Sequence, residues 1–87
     1  MQNYSENIRP AIIIPVYNHG RQVGKVIEQA EKLGLPIFVV NDGSTDETAE
    51  VLAGLNGINV LHHPTNYGKG AAILTGLTAV RDSGGNT

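Results

Sequence analysis

Ile37-Phe38-Val39-Val40-Asn41-Asp42-Gly43-Ser44-Thr45-Asp46-Glu47-Thr48 is the stretch that decides the fold. The apolar run after Pro36 predicts a strand from Ile37 to about Asn41, buried on both faces. Ser44 and Glu47 have the spacing of a capping box, serine oxygen to the N3 amide and glutamate back to the cap. That predicts a helix from about Thr45 to Leu55, with Ala49, Val51, Leu52 and Leu55 turned inward. A buried strand, an acidic glycine-containing turn and a capped helix form a repeating piece of a parallel α/β sheet. Ligands in such sheets bind in the crevice outside the carboxyl ends of the strands.

Upstream, the β-branched run Ala11 to Val16 follows Arg9-Pro10 and predicts a first strand. Pro15 cannot donate to a sheet ladder, so it belongs at the exit of that strand. A helix follows from about Arg21 to Leu33, with Val23, Val26, Ile27, Ala30 and Leu33 at the i, i+3, i+4, i+7 positions of one face. Gly34 stops it and Pro36 prevents its resumption. Downstream, Gly57 turns the chain and Ile58-Asn59-Val60-Leu61-His62 predicts a third strand. An irregular loop, His63 to Gly70, opens a third helix whose apolar face is Ile73, Leu74, Leu77 and Val80. The tail Ser83-Gly84-Gly85-Asn86-Thr87 reads as a loop.

The order β-α-β-α-β-α predicts a three-layer α/β/α fold with a parallel sheet. Right-handed crossovers put the first two helices on one face of a sheet ordered 3-2-1 and the third helix on the other. With no fourth strand, the first strand is an apolar uncovered edge, and self-association through it is expected. Residues 1–87 then read as a single truncated domain, the front piece of a larger one; the alternative is a small self-sufficient fold.

Bulk composition excludes several functions. The chain has 87 residues, 40% hydrophobic and 16% charged, which is ordinary for a globular fold. A net charge of −2 with six scattered basic residues leaves no electrostatic footprint for nucleic acid or an anionic membrane. Without cysteine there is no disulfide, thiolate metal site or thiol nucleophile. No run approaches the ~18 apolar residues of a membrane span. Met1 to Glu6 lacks the pattern of a signal peptide, so a cytoplasmic location is the default expectation.

The polar residues at strand ends are the candidates for chemistry. Asp42 can accept a hydrogen bond from the imide N–H of uracil or the N1–H of guanine, or it can merely close an Asx-turn. Asp46 suits a helix start, favoured there by the dipole. Tyr17 can stack on a base for ~1–3 kcal/mol, or sit half-buried with its hydroxyl wet. Pro15 and Asn18 can add backbone and amide contacts to the same pocket. Gly68-Lys69-Gly70 opens a helix, where free N–H groups and a lysine favour a phosphate, although a plain turn has the same letters. It is not a Walker A loop, because Gly70 holds the Ser/Thr position, and no G-x-G-x-x-G follows the first strand. His62 and His63 are neighbours on a strand and point to opposite faces, so they cannot share a metal.

Three segments, Ile13-Ile14-Pro15-Val16-Tyr17-Asn18, Val39 to Thr48 and Asn66-Tyr67-Gly68-Lys69-Gly70-Ala71-Ala72, together resemble the inverting glycosyltransferases of family 2, with the GT-A fold. The third is most similar to the dolichyl- or polyprenyl-phosphate sugar transferases. The resemblance implies the front half of a GT-A nucleotide-diphospho-sugar transferase, binding a UDP- or GDP-sugar. Pro15 and Tyr17 would line the base with Asn18 beside them, Asp42 would hydrogen-bond it, and Gly68, Lys69 and Gly70 would lie near the ribose or phosphates. The first acid of the family's Asp-Asp pair is Asn41 here. The family's Asp-x-Asp, which holds Mg²⁺ or Mn²⁺, is expected beyond Thr87 with the acceptor half. The resemblance therefore implies no cofactor in this chain, a metal only in a full-length parent, and little turnover from these residues alone. A stand-alone nucleotide-binding or interaction module is the alternative.

Overall fold

The structure, a computed structural model, describes residues 10–84. The elements alternate as β1 (Ile12–Val16), α1 (Val23–Glu31), β2 (Ile37–Asp42), α2 (Thr48–Ala53), β3 (Asn59–His63) and α3 (Lys69–Gly84). All three strands are parallel, in the order β1-β2-β3, with Ile12 opposite Ile37 and Asp42 opposite His63. This is the predicted α/β topology, read from the other edge. The residues before Pro10 and after Gly84 lie outside the described residues. Ser83 and Gly84, expected in a loop, form the last turn of α3.

Every residue of β2 is buried, as the continuous apolar run requires of a central strand covered on both faces. Alternation along the strands divides the core into two. Val16, Ile37 and Val39, with Ile12, Ile14, Ile58 and Val60, pack against Val23 and Ile27 of α1 and Leu52 of α2. Ile13, Phe38 and Val40 belong to the other face, beneath α3.

Three expectations change. Both α1 and α2 are shorter than predicted; α1 buries only Val23 and Ile27 against the sheet and α2 only Thr48 and Leu52, which leaves Val26 and Leu33 46% and 67% exposed. The capping box does not form: Glu47 is the N-cap of α2 without a side-chain cap, and Ser44 is drawn to Asn18 instead. On α3 the buried residues are Ala72 and Gly76, with Thr75 and Ala79 half-buried beside them; of the predicted face Val80 is half-buried, whereas Ile73, Leu74 and Leu77 are exposed. The small stripe lets the helix approach closely: a Cβ on Gly76 would lie 2.5 Å from Ile13 Cγ2.

Pro15 is the penultimate residue of β1, at its exit as expected but still paired, opposite Val40. Ile12 N–H donates to Pro36 O, so by alternation the position of Pro15 faces away from β2. Among the described residues that side of β1 has no paired strand, so the missing N–H costs the ladder nothing. Among the described residues no helix is long and apolar enough to cross a membrane.

Candidate functional site

The carboxyl ends of β1, β2 and β3 carry three loops that are bonded to one another. The first junction joins the loop after β1 to the loop after β2. Asn18, with φ 55, takes the left-handed conformation that asparagine tolerates. Its N–H donates to Ser44 Oγ, and its Oδ1 accepts from the N–H of Thr45 (2.8 Å) and Asp46 (3.3 Å). Asp46 Oδ2 accepts from Gly20 N–H, and its Oδ1 accepts from the N–H and hydroxyl of Thr48. Thr48 Oγ1 in turn accepts from His19 N–H. Asp46 is thus a bridge between loops as well as a helix-start residue.

The second junction is built on Asp42, which is 3% exposed. Its Oδ1 accepts from Tyr67 N–H (2.8 Å) and lies 2.8 Å from His63 Nδ1, while Oδ2 accepts from Gly68 N–H (2.9 Å). A carboxylate only accepts, so Nδ1 of His63 carries the proton. His63 Nε2 is 2.8 Å from Thr75 Oγ1 on α3, and the His63 and Tyr67 rings are tilted by 51° at 4.9 Å. The hydrogen bonds from His63, first, and from Tyr67 hold the Asp42 carboxyl below its ordinary 3.8, against desolvation, which acts the other way. Asp46 is likewise lowered, chiefly by the Thr48 side chain.

Gly43 closes the gap between these junctions. Its φ is 73, and a Cβ there would lie 2.2 Å from the backbone carbon of Thr65. Only a residue without a side chain lets the loop after β2 rest directly on the loop after β3.

The structure brings together Asp42 and Gly68 by a hydrogen bond, and Asn18 joins the same rim through Ser44 to Asp46. Pro15 pairs with Val40, two residues before Asp42. Tyr17 is 43% exposed just past β1, and Lys69 and Gly70 are exposed in the first turn of α3. Asn41, buried at 4%, points to the opposite face from Asp42. Its amide meets both His62 Nδ1 and Ser44 N–H, so it needs a donor and an acceptor together, which an aspartate lacks. Reading by residue type missed His63, Thr75 and the Tyr67 amide; the signal for them was the register that sets His63 opposite Asp42.

Among the described residues no group of three or more His, Cys, Asp or Glu is placed to hold a metal ion. Asp42 and Asp46 are committed to N–H and O–H donors, so these residues do not fit a divalent cation, and no step is assigned to one.

Residues 11–83 match the family described as Glycosyl transferase family 2. An uncharacterized protein of Methanocaldococcus jannaschii is 36% identical over 67 residues, covering 76% of this chain and 27% of that protein. Dolichyl-phosphate beta-glucosyltransferase ALG5A of Trichomonas vaginalis is 31% identical over 86 residues, covering 82% of this chain and 27% of its own. The 4,4'-diaponeurosporenoate glycosyltransferase of Staphylococcus aureus is 36% identical over 73 residues, covering 77% and 20%. This chain therefore spans 27% or less of the length of each of these relatives. No solved structure matches.

Proposed function

The chain belongs to glycosyl transferase family 2, and from that premise we propose that it is the donor-binding part of an inverting glycosyltransferase, holding the nucleotide of a UDP- or GDP-sugar. The observation that carries this is the convergence of three loops at the strand ends, with Asp42 bonded to the loop that opens α3. In this reading Pro15 and the exposed ring of Tyr17 line the base. Asn18 has spent its Oδ1 on the neighbouring loop, and its Nδ2 serves the ligand. Asp42 keeps one unspent lone pair on Oδ2 for the imide N–H of uracil or the N1–H of guanine. Gly68 gives its N–H to Asp42, and Lys69 and Gly70 follow in the first turn of a 16-residue helix, where the N–H groups that α3 leaves without an intrahelical partner and the lysine charge favour the diphosphate.

Family membership favours this over a non-catalytic module. The relatives named for dolichyl phosphate support a polyprenyl-phosphate acceptor for the whole protein. Any Mg²⁺ or Mn²⁺ belongs with an Asp-x-Asp, which these 87 residues do not contain. Nucleotide binding by this chain is accordingly weak and nearly indifferent to Mg²⁺. An NMR titration with UDP and with GDP tests the reading. Shifts at Tyr17, Asp42 and Lys69 are expected with one of them, and their loss in Asp42→Ala. No shift at these residues with either nucleotide overturns it.

A further inference from the structure

We propose that His63 is a positioning residue for the donor site: it holds the Asp42 carboxylate in the orientation that captures the Tyr67 and Gly68 amides, and so places Gly68-Lys69-Gly70 at the head of α3. The role rests on the donor-site reading, but its geometry can be tested separately.

His63 is the last residue of β3 and lies in register with the last residue of β2. Its side chain is 9% exposed. One ring nitrogen meets Asp42 Oδ1 and the other meets Thr75 Oγ1, both at 2.8 Å, and the ring lies against Tyr67. One imidazole thus joins the end of β2, the loop after β3 and the body of α3. Two nitrogens held in opposite directions fix the ring, and the fixed ring fixes Oδ1. Without Nδ1–H, the carboxylate is held only by the two amides it is meant to place, and those amides sit in a loop with exposed residues on either side. Thr75 keeps its bond whichever charge the imidazole carries, since a hydroxyl can donate or accept. The groups facing His63 are Asp42 from β2, Tyr67 from the loop and Thr75 from α3.

A purely structural histidine makes a different forecast. Asparagine at this position carries an N–H at the reach of Nδ1, whereas the N–H of glutamine lies at the reach of Nε2. His63→Asn therefore restores the donor to Asp42 and abandons Thr75, and His63→Gln does the reverse. Each variant gives up one bond, so a structural role predicts similar loosening in both. The positioning role predicts a split. Hydrogen exchange of the Tyr67 and Gly68 amides should stay near wild type in His63→Asn and rise about 10- to 100-fold in His63→Gln, the scale of one charge-assisted hydrogen bond. The dissociation constant for UDP or GDP should follow the same order. Equal exchange in the two variants, once corrected for global stability, overturns the proposal. A split in exchange with no nucleotide bound by the wild-type chain sustains the positioning of the loop and removes the donor-site reading.

Discussion

Replacing Gly43 with alanine isolates the contact that packs two loops together. The residue has φ 73, and its new Cβ would lie 2.2 Å from Thr65 C, 2.4 Å from Asn66 N and 2.7 Å from Thr65 Cα. All three are backbone atoms, so no rotamer change relieves the overlap; the chain must retreat by roughly an ångström in a close-packed junction. The left-handed conformation costs an alanine about 1–2 kcal/mol, and overpacking costs about 1–3 kcal/mol more. Together these make about 2–5 kcal/mol, against a total stability of roughly 4–13 kcal/mol for a chain of this length. Gly57 is the control: its φ is 80, but its Cβ would meet nothing within 4 Å. Gly57→Ala should therefore lose only the conformational part, about 1–2 kcal/mol. Urea unfolding of both variants, followed by circular dichroism, measures the difference. If Gly43→Ala and Gly57→Ala agree within about 0.5 kcal/mol, the loops are not in contact and the reasoning fails.

Three further outcomes follow from burial, charge and the sheet edge. Leu52→Ala, at 1% exposure, should cost about 2–5 kcal/mol, whereas Leu33→Ala, at 67%, should stay within about 0.5 kcal/mol; equal losses by urea unfolding would contradict the packing described. Asp42 and Asp46 titrate below 3.8 when folded, so the unfolded chain binds more protons in that range and stability rises with pH. Their contribution is complete above about pH 5 and is lost as pH falls through the lowered folded values; a midpoint-versus-pH curve unchanged by Asp42→Asn plus Asp46→Asn would refute it. Pro15→Val restores an N–H on the open side of β1, so sedimentation should show more self-association at unchanged fold, and no change would argue against this edge as the contact.

Element type and order were legible in the residues because they rest on local patterns. The run Ile37 to Val40 could only be a strand covered on both faces, and the glycines and prolines at 34, 36 and 57 punctuate the chain by their own dihedral limits. Side-chain roles were less legible where two candidates shared one pattern. In α3 the large stripe Ile73, Leu74, Leu77 and the small stripe Ala72, Thr75, Gly76, Ala79 both repeat at helical spacing. The small one faces the sheet because Ile13 leaves no room for more. Ser44 and Glu47 satisfy the capping-box spacing, yet a partner 26 residues away in sequence takes the serine.

The sequence by itself determined the strand–helix alternation, the parallel sheet and the clustering of polar residues at its carboxyl end, since short-range sterics and hydrophobic period suffice for these. Only the tertiary structure decided what Asp42 does there. A carboxylate takes its meaning from the donors that reach it, and those donors, His63, Tyr67 and Gly68, lie 21 to 26 residues away, delivered by strand register and by a glycine that admits no side chain.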